Sequence, residues 1–140
     1  MDDGLELLTG PPELEEYLRL RAASGLSPKR PDQGDAVLTG SWSFCHVRDA
    51  ASGEAVAMGR TIGDGGWYFH LADIATDPRF QRRGLGRRVV GWLLDDIVAR
   101  APRDAYVTLL ADAPGRRLYE SLGFVPSAPA SVGMVWRPET

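Results

Sequence analysis

The residues whose types and spacing most clearly indicate a ligand-binding site form the run QRRGLGRR at positions 81–88, between a predicted strand and a predicted helix. Gly84 and Gly86 flank a single residue, and two glycines so spaced let the backbone approach a ligand without interference from Cβ atoms. The helix that follows presents unpaired N–H groups and the positive end of its dipole. These features favour a phosphate or diphosphate site; the alternative is a glycine-rich helix start with a solvated basic face.

The same run excludes two common phosphate-binding loops. A P-loop needs Gly-Lys followed by Ser or Thr, and that triplet does not occur in the chain. A dinucleotide fingerprint needs a third glycine where this chain has Val89, and residues 77–80 separate the run from its strand. The arginines within residues 79–88 suit a polyanionic coenzyme, and we expect one or two of them to form only a solvated helix face.

Taken whole, the run resembles the pyrophosphate-binding motif of the GCN5-related N-acetyltransferases, Gln/Arg-x-x-Gly-x-Gly/Ala, with Gln81, Gly84 and Gly86 in its defining places. Residues 73–78 (DIATDP) resemble that family's strand leading into the loop, and residues 118–124 (LYESLGF) resemble its C-terminal signature. The resemblance covers about residues 42–137. The first forty residues resemble the family only in the order of their elements.

The resemblance implies an α+β fold: a single GNAT-like domain over residues 1–140, with a mixed, mostly antiparallel central sheet flanked by helices. Two strands of that sheet splay apart and form the acetyl-CoA cleft. The strand backbone would bind the pantetheine arm, the amides of residues 82–87 the diphosphate, and arginine side chains the outer phosphates. The expected coenzyme-binding residues are Ile74, Ala75, Thr76, Gln81, Arg82, Arg83, Gly84, Leu85, Gly86, Arg87 and Asp112.

Catalytic roles also follow from the resemblance. Tyr119 matches the family's usual general acid, which protonates the departing coenzyme A thiolate; the alternative is a core tyrosine. Asp73 is the first candidate for the proton acceptor, and His70 or a water chain is the alternative. Three positions apart on a strand, these two side chains point to opposite faces unless a bulge intervenes. Asp112 stands where many members have asparagine; it lacks an amide donor, so it contacts the coenzyme or simply caps the next helix.

The resulting prediction is an acetyl-CoA-dependent N-acetyltransferase whose small amine substrate attacks the thioester directly in a ternary complex. A backbone N–H around residues 74–76 would stabilise the oxyanion. Alternatives are a non-catalytic acetyl-CoA-sensing or interaction module and a small RNA-associated domain. An amino acid is one acceptor that would suit the aromatic and cationic side chains predicted near the acceptor side, and a protein N-terminus or lysine stays open. Those side chains are Trp42, Phe44, Arg60, Trp67 and Tyr68.

The composition of the chain restricts the kinds of ligand, partner and cellular compartment that we expect. The chain has 140 residues and a formal net charge of −3, which argues against general affinity for nucleic acid. Its single cysteine, Cys45, allows no intrachain disulfide and suits packing. With neither a membrane-length apolar run nor a signal peptide, we expect a cytoplasmic protein without membrane contact. No His, Cys or acidic spacing predicts a metal site. A homodimer formed through an open sheet edge or through the C-terminal strand is compatible with the sequence.

Hydrophobic periodicity and turn residues predict the elements that position these groups. The first three are a strand at residues 5–8, a helix that begins at Pro11 or Pro12, and a loop over residues 26–41 with at most one helical turn. A three-strand antiparallel meander follows. After it come two helices, a strand suited to the sheet interior, and two last strands. The predicted meander strands cover residues 42–48, 54–62 and 67–76. The predicted helices cover residues 84–100 and 113–122, with the interior strand between them at 105–111. The last two predicted strands begin at residue 124 and cover residues 131–137.

Overall fold

The computed structural model describes residues 4–138. Its strands are β1 (Leu5–Thr9), β2 (Ser43–Asp49), β3 (Ala55–Gly63), β4 (Tyr68–Thr76) and β5 (Tyr106–Thr108). Its helices are α1 (Leu14–Ala23), α2 (Pro31–Gly40), α3 (Leu85–Arg100) and α4 (Arg116–Ser121), with 3₁₀ turns at Pro78–Phe80 and Ala113–Gly115. No helix among residues 4–138 combines the length and the apolar character needed to span a bilayer.

One mixed sheet organises the fold, in the strand order β1-β2-β3-β4-β5. The first four strands pair antiparallel in chain order, and β5 pairs parallel with β4. Short turns join β2 to β3 and β3 to β4, whereas α1 and α2 lie between β1 and β2. The parallel pair is joined through α3, as parallel geometry demands. The predicted α+β fold with a mixed, mostly antiparallel sheet is confirmed.

The sheet buries both faces. Met58 of β3 packs with Tyr17 and Leu20 of α1. The next residue, Gly59, faces α3: a Cβ built there would lie 2.6 Å from Val89 Cγ1 and 3.1 Å from Leu93 Cδ1. Successive strand residues point to opposite faces, so helices cover both sides of β3. Gly59 is needed because α3 approaches the strand too closely for any side chain.

The chain divides into two compact units, one up to Leu109 and one from Leu110 onward. The first contains the whole sheet with α1, α2 and α3. The second contains the Ala113–Gly115 turn and α4, where Gly123 ends the helix at a φ of 99°. Glycine is favoured at this helix end because the left-handed backbone there costs other residues steric strain.

The loop predicted over residues 26–41 is wrong, because α2 occupies most of it. Pro31 is the first residue of the helix, and Gln33 Oε1 accepts the backbone N–H of Arg30 at 3.0 Å. Gly34 is buried, and a Cβ there would lie 2.7 Å from Leu14 Cδ1 of α1. Propensity counts the glycine against a helix, whereas here it is what lets α2 approach α1.

The predicted strands of the C-terminal part are also corrected. β5 has three residues rather than seven and lies at the sheet edge, with Tyr106 46% exposed. The strands predicted from Phe124 and over residues 131–137 are absent from the described chain, where Met134 and Trp136 are exposed. An alternating pattern becomes a strand only when a neighbour supplies its N–H and C=O groups, which a local pattern does not reveal.

Candidate active site

The two parallel strands form a fork. β4 pairs with β5 over three positions, the last being His70 opposite Thr108. β4 then continues to Thr76, and its edge facing away from β3 has no strand partner in the described chain beyond His70. The predicted coenzyme-binding residues Ile74, Ala75 and Thr76 all lie on this open stretch. Unpaired strand backbone can hydrogen-bond an extended ligand as another strand would.

A β-bulge lies at the centre of the open stretch. Met58 pairs with Ala75 and Arg60 with Ala72, so two steps along β3 match three along β4. Asp73 is within the bulge at a φ of 55°, a left-handed conformation that aspartate tolerates better than most residues. The bulge changes the alternation of side chains. Asp73 therefore bonds Arg60, the same residue whose charge acts on His70.

Both oxygens of the Asp73 carboxylate accept hydrogen bonds. Its Oδ2 accepts from the Tyr17 hydroxyl at 2.6 Å and from Arg60 Nε at 2.7 Å, and its Oδ1 accepts from Arg21 Nη1. Only 5% of the side chain is exposed. Burial alone raises the pKa of this carboxyl, but the hydrogen bonds from Tyr17 and Arg60 and the charges of both arginines outweigh it, so the pKa lies below its ordinary value. The assignment of Asp73 as proton acceptor stays a prediction, and these contacts disfavour it.

We call Asp73, Tyr17, Arg21 and Arg60 the Asp73 cluster. It links the bulge to α1 and β3, and Arg21 extends it to the loop after α1 by donating to the Ser27 carbonyl oxygen, 2.8 Å from Nη2. Burial and the bond to Asp73 raise the pKa of Tyr17 to about 12, so its hydroxyl stays a donor. The sequence does not reveal the roles of Tyr17 and Arg21, because they are more than fifty positions from Asp73 and show no spacing pattern with it.

The loop after β4 has the geometry of an anion site. Asp77 Oδ1 accepts the backbone N–H of Arg79 at 2.9 Å and caps the Pro78–Phe80 turn. The backbone is left-handed at Arg82 (φ 65°) and Gly84 (φ 76°), as in the nests that bind phosphates. The first helical hydrogen bond of α3 runs from Arg88 N to Gly84 O, so the loop leads directly into the positive end of the helix dipole. This geometry suits the predicted contacts of the loop with a diphosphate.

The arginines of this segment differ in availability. Arg79 is held by Asp77 and by Glu54, whose Oε2 lies 2.9 Å from Nη2. Arg88 donates to the Leu5 carbonyl at 3.1 Å. Arg82 is exposed, and so is Arg83, whose guanidinium stacks 5.0 Å from the Phe80 ring centre. The side chains of Arg79 and Arg88 are therefore held by contacts within the protein, while those of Arg82 and Arg83 are exposed.

The second unit contains the predicted general acid. The Tyr119 ring packs edge-on against Phe124 with centroids 6.1 Å apart, and it lies beside Gly115, where a Cβ would be 2.8 Å from the ring. Burial and, secondarily, the Asp112 charge raise the pKa of the Tyr119 hydroxyl, which therefore keeps its proton at neutral pH. Asp112 precedes the Ala113–Gly115 turn, but its side chain makes no capping hydrogen bond, so the suggested cap is not formed.

The aromatic residues expected near the acceptor do not form one group. Trp42 packs on Phe69 at 4.8 Å and under Arg100 at 3.9 Å, and Phe44 is in the core. Trp67 and Tyr68 are exposed and cluster with Tyr106. Among these five predicted acceptor-side residues, Arg60 lies beside the bulge, where it bonds Asp73.

Two further observations concern Cys45 and the His, Cys, Asp and Glu side chains of the described chain. Cys45 is fully buried, and burial raises the pKa of its thiol to about 12, which agrees with packing rather than nucleophilic chemistry. Residues 4–138 contain no group of three His, Cys, Asp or Glu side chains able to hold a metal ion.

Residues 41–126 match the family model described as acetyltransferase (GNAT) domain. The chain belongs to the GNAT acetyltransferase family. A crystal structure of a probable acetyltransferase of unknown function from meticillin-resistant Staphylococcus aureus superposes on it with a TM-score of 0.88 and 30% identity, covering 96% of this chain and 99% of that one. GNAT membership and the shared fold support acyltransferase chemistry.

Curated relatives match over shorter stretches. The uncharacterized N-acetyltransferase ycf52 from Pyropia yezoensis is 30% identical over 96 residues, 69% of this chain and 53% of that protein. The ribosomal protein bS18-alanine N-acetyltransferase from Salmonella typhimurium is 46% identical over 55 residues, 39% of this chain and 37% of that protein. The chain therefore spans about half, or less, of the length of these GNAT relatives.

Proposed function

We propose that this GNAT protein transfers an acetyl group from acetyl-CoA to the amine of a small molecule, by direct attack in a ternary complex. The observation that carries the proposal is the fork between β4 and β5. The open edge of β4 passes through a bulge and continues into an anion-binding loop at the start of a sixteen-residue helix. An extended arm ending in a diphosphate is the ligand shape that these features fit together.

The fit to acetyl-CoA rests on backbone groups. Ile74, Ala75 and Thr76 offer strand hydrogen bonds to the pantetheine arm. The amides of residues 82–87 offer donors to the diphosphate, and the left-handed loop backbone directs them. The exposed guanidiniums of Arg82 and Arg83 are placed for outer phosphates. Gln81, at the start of the loop, is also exposed.

Bound acetyl-CoA supplies a thioester, whose acyl carbon a neutral amine can attack. A backbone N–H at the bulge, around residues 74–76, would donate to the oxyanion, and its rigid position lowers the cost of stabilising charge there. Tyr119 would give its proton to the sulfur, a role that follows from its place in the LYESLGF segment and from a hydroxyl that stays protonated. The amine proton needs a separate acceptor.

Charge near the bulge supports an acceptor that carries a carboxylate, such as an amino acid. Two arginines, Arg21 and Arg60, share the single negative charge of Asp73. The cluster thus has a surplus positive charge, and Arg60, with 16% of its side chain exposed, is placed to offer it. A protein N-terminus beginning with alanine is the second candidate, because one matching relative is a ribosomal protein alanine N-acetyltransferase.

A thiol-release assay tests the proposal. Purified protein is incubated with acetyl-CoA and each of three amine sets: free amino acids, their C-terminal amides, and peptides that begin with alanine. Release with the free acids but not the amides supports the small carboxylate-bearing acceptor; release with the peptides supports the second candidate. Acetyl-CoA binding by calorimetry without release from any amine would identify a sensing module. Absence of binding, with RNA raising the thermal midpoint instead, would contradict the acetyltransferase proposal.

Tyr119→Phe tests the proposed acid. We expect kcat to fall about 100-fold or more, within the range for loss of a general acid, while the acetyl-CoA dissociation constant changes less than twofold. Phe124→Leu is the matched control, because it loosens the packing of the same ring but keeps the hydroxyl. Equal loss of turnover and affinity in Tyr119→Phe would make Tyr119 a packing residue.

A further inference from the structure

His70 is the titratable side chain at the point where the fork opens. It occupies the last β4–β5 pair, opposite Thr108, three residues before the bulge at Asp73. Its ring is half-buried, and its Nδ1 atom lies 2.9 Å from Thr108 Oγ1. In the described chain its Nε2 atom has no hydrogen-bond partner. One ring nitrogen is therefore held and the other is available.

Thr108 can determine which nitrogen carries the hydrogen. A hydroxyl has one hydrogen, and the Phe69 carbonyl oxygen, 3.4 Å from Thr108 Oγ1, is an acceptor for it. With the hydroxyl hydrogen directed there, the same oxygen accepts from His70, and the imidazole hydrogen is on Nδ1. A neutral imidazole has a single N–H, so Nε2 is left with its lone pair. A base needs an available lone pair, and in Asp73 both oxygens already accept hydrogen bonds from Tyr17, Arg21 and Arg60.

The surroundings keep the ring neutral. Burial and, secondarily, the positive charge of Arg60 on β3 lower the pKa of His70 below its ordinary value. β5 contributes the uncharged Thr108, and Asp73 of β4 directs its charge into Arg60 and Arg21. At neutral pH the imidazole is therefore unprotonated and ready to accept.

We propose that Nε2 of His70 accepts the proton that the amine loses, and that Thr108 holds the imidazole in the tautomer that makes this possible. The inference rests on the proposed acetyltransferase function. In the step, the amine nitrogen bonds to the acyl carbon, the carbon–sulfur bond breaks, and one amine proton moves to Nε2. The departing sulfur takes its proton from Tyr119 or solvent, and His70 later releases its proton to water.

The tautomer can be measured without turnover. Nitrogen-15 NMR of protein labelled at histidine reports which ring nitrogen carries hydrogen, and the chain has only two histidines, so His70→Gln assigns the resonances. We expect Nδ1–H in the wild type. Thr108→Val removes the accepting oxygen with little change in shape, and should move the hydrogen to Nε2. Thr108→Ser keeps the hydroxyl and should restore Nδ1–H. An Nε2–H tautomer in the wild type would overturn the inference.

The pH profile tests the catalytic role with the best amine of the panel. Both the amine and His70 must be deprotonated, so the slope of log kcat/KM against pH is one above the pKa of His70 and two below it. His70→Gln should keep a slope of one throughout and lower kcat about 100-fold. Thr108→Val should lower kcat about tenfold, with recovery in Thr108→Ser. The dissociation constant for coenzyme A and the thermal midpoint should stay close to wild type in each variant.

The outcomes separate the two proposals. If the wild type turns over and His70→Gln retains both its kcat and the slope of two, this inference fails and the acetyltransferase proposal stands. If Asp73→Asn removes the slope of two instead, Asp73 is the proton acceptor. If the wild type releases no thiol with any amine, both proposals fail together.

Discussion

The glycine-containing loop at residues 81–88 and the Asp73 cluster are joined by the end of the same strand, yet they are built in opposite ways. The loop depends on backbone: left-handed positions at Arg82 and Gly84, and the N-terminal end of α3. The cluster depends on side chains from α1, β3 and β4 that converge on one buried carboxylate. A backbone site can be recognised in a short stretch of sequence, whereas a side-chain site requires the fold.

Because the loop and the cluster are built differently, substitutions in them should affect different properties of the protein. The loop is exposed at residues 81–84 and contributes little buried surface, so changes there should affect ligand affinity more than folding. The Asp73 cluster is buried and links three elements, so changes there should affect folding first. Four measurements can break or sharpen this contrast.

Asp73→Ala should have the largest effect. It leaves Arg21 and Arg60 buried without their anion, a change that costs about 3–5 kcal/mol in the free energy of unfolding. Urea denaturation measures this loss. Asp95→Ala is the matched control, because Asp95 is an exposed carboxylate on α3, and its loss should stay within about 0.5 kcal/mol. Equal effects of the two variants would show that the cluster does not support the fold.

Gly84→Val should show the reverse pattern. A β-branched residue at a φ of 76° is strained and disturbs the loop backbone, so we expect acetyl-CoA affinity to fall tenfold or more, about 1.4 kcal/mol. Calorimetric titration measures the affinity, and urea denaturation should show a smaller loss than in Asp73→Ala. Unchanged affinity would contradict the assignment of the loop.

The pH dependence of stability extends the comparison to a second carboxylate, Glu16, which forms a salt bridge with Arg48 in a distant part of the sequence. Hydrogen bonding from Arg48 lowers its pKa to about 2, despite the opposing effect of burial. Because the folded pKa is below the unfolded one, the bridge stabilises the fold above about pH 4.5, and this contribution disappears as the pH falls toward 2. Glu16→Gln should flatten the fall in unfolding free energy between these pH values. An identical fall in both proteins would exclude Glu16 as its source.

Gly91→Ala should have the smallest effect, in the stabilising direction. Gly91 lies inside α3, and a Cβ there would meet no neighbour within 4 Å. Alanine should therefore raise the unfolding free energy by about 0.5–1 kcal/mol. Acetyl-CoA affinity should not change if coenzyme binding by the loop is independent of the stability of α3. A loss of affinity would show that the two properties are coupled.

Local patterns predicted most elements of the first unit. Alternation identified β2, β3 and β4, and an apolar stripe identified α3, because each pattern records one buried face. Local patterns did not predict α2, where Gly34 is explained only by its contact with α1. They also predicted a strand at residues 131–137 that does not form, because strand pairing depends on another part of the chain.

The candidate site divides in the same way. The sequence by itself determined the family resemblance and predicted the anion-binding role of the loop, because glycine spacing and a helix start are properties of neighbouring residues. Only the tertiary structure decided that Asp73 is enclosed by Tyr17, Arg21 and Arg60, and that Thr108 lies within hydrogen-bond distance of His70 Nδ1. The availability of a lone pair depends on which distant donors surround it, and the order of residues along the chain does not contain those distances.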